Sequence, residues 1–542
     1  MSAINYTYYV TIWAVETQVY PSGDWSLKIA KAEEDFPFCK DYRIKFDGDF
    51  IFSGDDYDLL QGAGCCNKID LKIKCNGVDY WFGYFAYPYD FEVDEDRCQI
   101  SGTPKPLDKY YWFDIYADEK KEIVLNYEAS YQNNFDSAHA NDPPNDKWAD
   151  ACFDCEPIRD IIVQLGSIFI AYNPQSAFFN DSADGFPSGP YPAGVDNNYV
   201  TGFTNKLDNV VLAMANDVCN VGATTVDNLE WSWNDLMEIL HNTFNTWWYI
   251  DENGEVRVEH IYFWELYFVL PSYNLTSTGV NPIDNGRWIV NTSKYDYTVE
   301  KIPKMEDWNW SSQRNSFDSA YINYYECFLP GKTRYVKEYS LSNLTNDIEY
   351  IAPGTHNLTI SPDDCGDVSD SDYMFLRCIT AAAAAGLGYG VLPGFEMPVC
   401  ADYVVWWNRY IGDGVDHLNA HLSPLNLLAN YWMHDRPLWQ GNIQPGIGNV
   451  NFESTWKNLR QIELCFPVCC DYETEIIFDR GAGDPRYLYE FGINFNEDII
   501  TQYGAGELYT GTIKDGMLCL QLIYEDLDCE ESATDWPNAS EL

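Results

Sequence analysis

Basic residues are scarce in this 542-residue chain. Lysine and arginine together number 33, against 84 aspartate and glutamate residues, which gives a formal net charge of −51. Because a grip on phosphate groups needs Lys and Arg side chains, this balance disfavours nucleic-acid binding. The acidic excess is spread along the chain. Two interpretations of this excess are open: a solvated surface adapted to saline surroundings, or the wall of a pore that must not adhere to DNA. The first interpretation needs fewer assumptions.

Catalytic signatures are missing as well. The chain has seven histidines and contains no G-x-S-x-G elbow, Walker loop or dinucleotide-binding fingerprint. Carboxylates are so abundant that a pair suited to glycoside hydrolysis carries almost no information. The run Asp55-Asp56-Tyr57-Asp58 lacks the glycine and the closing glutamate of an EF-hand loop, so we expect a solvated turn there. The sequence therefore predicts no enzyme, no catalytic residues and no cofactor.

Metal-binding patterns are weak. His417 and His421 are four residues apart, but no H-E-x-x-H motif is present and Pro424 follows closely. Cys152 and Cys155 form a C-x-x-C without a second such pair, which is poor evidence for zinc. The 17 cysteines are odd in number and irregularly spaced, so we expect most of them to be reduced, buried and small hydrophobic residues. We predict no metal site and leave a metal role of these two pairs open.

Targeting and membrane segments are not evident. The chain opens with MSAINYTYYVTIWAV, which alternates like a strand and has no basic region or cleavage site of a signal peptide. The alanine-rich run at 379–392 is too short to cross a membrane. We expect soluble assembly in a bacterial cytoplasm.

Aromatic residues, by contrast, are plentiful at 16%, with 41 Tyr and 19 Trp. Aromatic packing within β-sheets and sugar-binding platforms both account for this content. Alternating segments bounded by Gly, Asp and Asn turns predict a β-rich α+β protein with several barrel or sandwich domains and a few helices. Strands are predicted at 8–15, 43–46, 70–75, 123–127, 160–171, 460–467, 474–479, 508–513 and 517–524, and helices at 371–386 and 406–433.

Residues 228–262 predict one amphipathic helix followed by one β-hairpin. Ser232 and Asp235 form a plausible N-terminal cap, and Leu236, Ile239, Leu240 and Phe244 recur on one helical face. Strands are predicted at 246–250 and 256–261, where β-branched and aromatic residues are frequent. They are joined by Asp251-Glu252-Asn253-Gly254, whose Asn-Gly step supplies the positive φ angles of a tight turn. We expect a packing element and no binding site here.

The length of the chain suggests three to four domains. Composition shifts divide it into an N-terminal β domain, a polar linker, an α+β domain with the helix–hairpin unit, a second β domain with an acidic loop at 353–372, and a C-terminal β-rich domain with an acidic tail. The predicted bounds are 1–130, 131–150, 151–290, 291–400 and 401–542.

An ordered series of short motifs resembles one family. WYID at 248–251 and GEVRVEH at 254–260 match a helix-linked hairpin of the tail hub proteins, also called tail-tip or baseplate-hub proteins, of tailed phages and prophages of Bacteroidetes-type bacteria. No single motif is strong, but the order of the series is specific and covers most of the chain. The other matched segments are 48–60, 66–69, 81–85, 294–295, 300–310, 344–351, 431–437 and 503–508.

This resemblance implies a structural protein of the virion, assembled in the host cytoplasm. Family hubs are built from β-barrel domains and assemble as homotrimers at the end of the tail tube. The expected partners are two further copies of the chain, the tail tube or distal tail protein, the tape-measure protein, tail fibres or receptor-binding proteins, and DNA that passes without specific binding. The rival hypothesis is a glycan-binding or glycan-degrading virion or secreted protein, which uses the aromatic residues as sugar platforms.

Overall fold

The computed structural model describes a part of the chain that is rich in β-structure. The described residues are 4–131, 152–167, 169, 174, 176, 210–214, 229–244, 246–251, 254–260, 273–274, 290–297, 305–312, 335–338, 347–355, 373–380, 402–405, 459–468, 470, 473–479, 485–490, 495, 499–501 and 504–525.

Strands β1 to β15 are Tyr6–Ile12, Val15–Val19, Trp25–Lys31, Tyr42–Gly48, Phe50–Ser53, Asn67–Cys75, Val78–Tyr87, Glu92–Asp94, Gln99–Gly102, Lys105–Pro106, Lys121–Ile123, Tyr127–Tyr131, Cys152–Pro157, Val210–Met214 and Leu229–Trp231. Strands β16 to β30 are Thr246–Ile250, Val256–His260, Tyr273–Asn274, Val290–Tyr297, Met305–Ser312, Tyr335–Glu338, Asp347–Thr355, Tyr373–Thr380, Asp402–Val405, Leu459–Pro467, Glu473–Asp479, Pro485–Glu490, Ile499–Thr501, Gly504–Lys514 and Met517–Glu525. The α-helices are α1 (Asp55–Gln61), α2 (Tyr111–Tyr116), α3 (Ile158–Gly166) and α4 (Trp233–Phe244), and a 3-10 turn covers Ala32–Glu34.

The first sheet is antiparallel and has the strand order β10-β7-β6-β1-β2. Along β6, Ile69, Leu71, Ile73 and Cys75 are buried while the residues between them are partly exposed, the alternation of a strand with one face on the core. A smaller sheet of order β5-β9-β8 contributes Phe50, Phe52 and Ile100 to the same core.

A larger sheet joins distant parts of the sequence. It runs β18-β28-β29-β30-β25-β19, and the hairpin of β3 and β4 adds to it because β3 pairs with β29. In this register Ala30 lies opposite Thr510. Leu27 and Ile29 thereby share one apolar core with Leu518, Leu520 and Leu522. Strand pairs thus cross the predicted boundaries at 130 and 401, and the domain bounds themselves stay a prediction.

Strands β12, β13, β14, β23 and β24 close into a barrel. Neighbours are antiparallel except where β12 meets β24 in parallel and closes the ring. The β-rich fold class with few helices is confirmed. No helix among the residues placed by the structure is long and apolar enough to cross a membrane.

A second apolar core surrounds α4. It gathers side chains from α2, α3, α4 and the hairpin of β16 and β17. The largest of them, Trp233 and Trp248, meet at a ring-centroid distance of 5.3 Å, and Phe113 lies 4.8 Å from Trp248. Aromatic contacts of this kind add stability beyond the burial of their area.

Three sequence-based predictions of local structure were wrong. Residues 160–171 were expected to be a strand, but α3 occupies 158–166 because Ile158, Ile161, Ile162 and Leu165 are buried at helical spacing. The helix expected at 371–386 is replaced by β23 at 373–380, which pairs with β14. The turn expected at 55–58 is the start of α1, whose first-turn aspartates are favourable at a helix N-terminus.

Two strand predictions were wrong in detail. The strand expected at 8–15 is broken by the turn Trp13-Ala14 between β1 and β2, and the one expected at 123–127 is split between β11 and β12. The strands expected at 43–46, 70–75, 460–467, 474–479, 508–513 and 517–524 are confirmed within β4, β6, β25, β26, β29 and β30. The predicted helix at 406–433, nearly all of the linker at 131–150, most of the acidic loop at 353–372 and the tail beyond 525 lie outside the described residues.

Candidate functional site

The helix–hairpin unit is a packing element, as the sequence predicts. The Ser232 N–H donates to Asp235 Oδ2 at 2.9 Å, and the Asp235 N–H donates to Ser232 Oγ at 3.0 Å, so the two residues cap α4 reciprocally. Leu240 is fully buried, and Leu236 is 1% exposed. Gly254 has a φ of +78°, as the turn requires, whereas Asn253 lies outside the described residues.

A buried arginine lies beside this unit. Its partners Asp35, Asp108 and Asp114 come from three segments, and together the four residues are called the Arg43 cluster. Arg43 Nε and Nη2 donate to Asp108 at 2.9 and 3.0 Å, Nη1 and Nη2 donate to Asp114 at 2.9 and 2.8 Å, and Nη1 donates to Asp35 at 2.8 Å. All five guanidinium donors are therefore used. The Arg43 side chain is 2% exposed.

The electrostatics of the Arg43 cluster hold the guanidinium in its charged form. Burial works against that charge, but Asp108 and Asp114 keep the pKa of Arg43 well above its ordinary value. Burial also raises the pKa of Asp114, and Arg43 opposes that shift. Lys45 adds a second cation, at 2.7 Å from Asp35. The cluster fastens β4 to α2 and to the 3-10 turn, and its arginine has no donor left for a ligand.

A second polar group ties the hairpin to the residues just before β4 and α2. Lys109 Nζ lies 2.6 Å from Asp41 Oδ2 and donates to the carbonyl oxygen of Ile250 at 2.6 Å. The Tyr110 hydroxyl donates to Asp41 Oδ2 at 2.5 Å and accepts from the Ile250 N–H at 3.3 Å. Because each buried charge has a partner, the arrangement is satisfied internally.

His241 has a structural role. It stacks on Phe38 with the ring centroids 3.6 Å apart, and Nδ1 lies 3.1 Å from the carbonyl oxygen of Thr246. Burial lowers the pKa of His241 to about 3, so the ring is neutral at pH 7 and Nδ1 carries the proton that it donates to Thr246. His241 is therefore not a titrating base at neutral pH. His417 and His421 lie outside the described residues, so their metal role is untested.

The cysteine prediction was wrong in part. Among the described residues, Cys39 and Cys155 are buried, but Cys65, Cys66 and Cys98 are exposed. Two further pairs are disulfide-bonded, Cys75 with Cys470 and Cys465 with Cys519. Cys155 lies on β13, and a metal role for Cys152 and Cys155 is untested.

Exposed aromatic side chains gather at one end of the first sheet. Trp13 is 69% exposed in the β1–β2 turn, and Tyr89 is 76% exposed after β7. Between them are Cys65 and Cys66, the latter with its Sγ 3.9 Å from the Tyr89 hydroxyl. Trp13, Cys65, Cys66 and Tyr89 are called the aromatic tip.

Lysines on the described surface are neutralised by carboxylates. Ten lysines between Lys28 and Lys121 lie within ion-pair distance of an Asp or Glu oxygen, and Lys40 lies 5.7 Å from the centroid of the Trp247 ring. On the first sheet these pairs are Lys68–Asp70, Lys72–Glu16, Lys74–Asp79 and Lys105–Asp90. This part of the surface thus presents no belt of unpaired cations.

Sequence reasoning missed the Arg43 cluster and the aromatic tip. The residues that bond to Arg43 across the cluster are 65 and 71 positions away in sequence, and no local pattern predicts such a contact. The adjacent cysteines at 65 and 66 were visible, but their exposure depends on the turn that presents them.

Comparison with solved structures finds similar chains, and two tail proteins are among them. No protein-family model and no curated protein sequence matches the chain. A tail protein from Neisseria meningitidis MC58 aligns at 9% identity with a TM-score of 0.32, and the 43 kDa tail protein of prophage MuSo2 from Shewanella oneidensis at 7% identity with a TM-score of 0.31. Each alignment covers 96% of this chain and 97% of the other. Scores this low do not establish a shared fold.

Proposed function

We propose that this chain is a structural protein of a phage tail, and within the tail a homotrimeric hub. It joins the distal tail tube to fibres or receptor-binding proteins and lines the path of the tape-measure protein and the DNA. The observation that carries the proposal is the ordered series of hub-like motifs, which runs from residue 48 to residue 508. The β-rich architecture and the closed barrel of β12, β13, β14, β23 and β24 are compatible with it.

The buried polar groups support a structural role. Catalysis needs a base or nucleophile poised near an open position, with its pKa tuned to the working pH. In the described residues the buried Arg43 and the largely buried Lys109 are instead held by at least two partners each. His241 is neutral and packed between Phe38 and Trp247. Such groups position segments of the chain.

The paired lysines support a DNA path without adhesion. Duplex DNA carries one negative charge per about 1.7 Å, and proteins bind it by replacing its counterions with Lys and Arg. Lysines whose charge is already matched by a neighbouring carboxylate contribute little to that exchange. A net charge of −51 adds long-range repulsion.

Electron microscopy and light scattering of the purified full-length chain test the proposal. A threefold ring or cup, together with the protein's presence in purified virions, is the expected result. A strict monomer that is absent from virions would overturn the hub and favour the glycan-active rival, which glycan-array binding would then detect. For the lumen, anisotropy with labelled duplex DNA at low salt should show no binding. Salt-sensitive binding would contradict the non-adhesive path.

A further inference from the structure

Two neighbouring thiols in the aromatic tip are held close together. Cys65 and Cys66 are exposed in the turn between α1 and β6, and their Sγ atoms lie 3.2 Å apart. Cys98, in the turn between β8 and β9 of the smaller sheet, offers a contrast. It is also exposed, but its Sγ donates to the carbonyl oxygen of Glu95 at 3.7 Å.

The backbone on both sides fixes this turn. The Cys66 N–H donates to the carbonyl oxygen of Tyr87 at 2.9 Å, which ties the turn to β7. Asn67 Nδ2 donates to the carbonyl oxygens of Ala63 and Gly64 at 2.6 and 3.2 Å. Gly64 and Cys66 have φ angles of +78° and +66°. The two sulfurs therefore face each other as a consequence of the local fold.

We propose that Cys65 and Cys66 are a reversible dithiol–disulfide pair whose oxidant is a small-molecule disulfide of the glutathione class. One thiolate attacks the small disulfide, forms a mixed disulfide and releases one small thiol. The neighbouring thiolate then attacks the protein sulfur, closes the Cys65–Cys66 bond and releases the second small thiol. The protein loses two protons and two electrons, and the small disulfide gains them.

Chain geometry makes such a bond easy to reverse. Consecutive Cα atoms are about 3.8 Å apart, below the range of about 4.4–6.8 Å that unstrained disulfides span. Strained and exposed disulfides are the labile ones. Cys75–Cys470 and Cys465–Cys519 form disulfides in this structure. Their formation also requires an oxidant, so oxidation of Cys65 and Cys66 is consistent with the state of these four cysteines.

The bond would change the surface of the aromatic tip. Cys66 Sγ contacts the Tyr89 hydroxyl. The Trp13 ring lies beside Gly64, the residue before Cys65, at 3.8 Å from the position that a Cβ on Gly64 would occupy. Closing the bond draws Cys66 Sγ from Tyr89 toward Cys65. Oxidation thus alters an exposed patch that stands between Trp13 and Tyr89, and this inference does not depend on the proposed tail function.

Peptide mass spectrometry of the folded full-length chain tests the pair directly. The protein is equilibrated with glutathione disulfide, its free thiols are trapped with N-ethylmaleimide, and it is cut with trypsin. The peptide 46–68 contains Cys65 and Cys66 and no other cysteine, and the peptide 98–109 contains Cys98 alone. We expect peptide 46–68 to be two hydrogens lighter than its reduced, unmodified form and to carry neither glutathione nor N-ethylmaleimide. After reduction with dithiothreitol and renewed trapping, it should carry two N-ethylmaleimide groups. Peptide 98–109 should carry glutathione.

Matched variants sharpen the result. Cys65→Ser should leave Cys66 with a glutathione adduct, like the lone Cys98, and should lose the binding of phenylarsine oxide that bridges two close thiols. Cys98→Ser should retain both behaviours of the wild type. If peptide 46–68 stays doubly trapped, or gains glutathione in the wild type, while Cys98 is oxidised, the proposal is wrong.

Discussion

The Arg43 cluster and the core around α4 are neighbours, yet different forces hold them. Tyr110 borders both, with its ring centroid 6.0 Å from that of Trp248 and its side chain under the Arg43 guanidinium. The α4 core is apolar and gathers side chains from segments spread between residues 32 and 258. The Arg43 cluster uses five directional bonds between distant segments. An apolar core adapts to small changes, whereas a buried ion cluster fails when one partner is removed.

The largest effect is expected from Arg43→Met. Removal of the guanidinium leaves Asp108 and Asp114 buried without their cation, and loss of one partner of a buried pair costs about 3–5 kcal/mol. Urea unfolding, with hydrogen exchange at α2 as the local readout, measures it. Arg97→Met is the matched control, because Arg97 is 76% exposed and pairs with Asp94 on the surface, where such pairs contribute about 0–1 kcal/mol. Equal effects of the two changes would show that burial of the cluster does not matter.

Leu240→Ala tests the apolar side of the comparison. Leu240 is fully buried, so truncation should cost about 2–5 kcal/mol through lost burial and a residual cavity. The same unfolding experiment measures the change. Val15→Ala serves as the control because Val15 is 64% exposed. A fully stable Leu240→Ala protein would mean that α4 does not pack as described.

The buried His241 should make the stability of the region around α4 depend on pH. The unfolded chain takes up a proton at His241 below about pH 6.5, whereas the folded chain does so near pH 3. Stability from this residue is therefore present above pH 6.5 and is lost as pH falls toward 3, by up to about 1.4 kcal/mol per pH unit. The difference in unfolding free energy between wild type and His241→Gln should shrink along this window. A constant difference from pH 7 to pH 4 would refute a buried neutral imidazole.

Ser232→Ala should have the smallest effect. It removes the hydroxyl that accepts from the Asp235 N–H, and loss of an N-terminal cap costs about 1 kcal/mol. Ser167→Ala is the control. The Ser167 hydroxyl donates to the carbonyl oxygen of Gln164 at 3.3 Å, at the exposed C-terminal end of α3. Thermal unfolding resolves the two. A cap variant as stable as Ser167→Ala would mean that the α4 terminus is held by packing alone.

The features predicted from sequence are those with local causes. The cap of α4, its buried face and the Gly254 turn follow from residue type and spacing over a few positions. The alternation in β6 is equally local. Where two local signals compete, the sequence misleads, as at α3, where β-branched residues suggested a strand while their spacing of three and four matches a helix.

Features that depend on long-range contacts were not predictable. Arg43 meets Asp114 across 71 positions, and β3 meets β29 across 481. A chain with 84 acidic residues offers many candidate partners for any arginine, so its sequence alone does not identify the partners of Arg43. The candidate site shares this limit, since the exposure of Cys65 and Cys66 follows from how α1, β6 and β7 meet.

The pairing of β3 with β29 sets an order of events during synthesis. Ala30 leaves the ribosome long before Thr510, which is its partner in the sheet. At a synthesis rate of about 5–20 residues per second, β29 is made roughly half a minute to a minute and a half after β3. During this interval Leu27 and Ile29 lie on a strand whose neighbour does not yet exist, open to the same edges on other nascent chains. The larger sheet therefore cannot be completed until β29 has been synthesised, and a chain cut before residue 504 lacks the strand that joins the β3–β4 hairpin to that sheet.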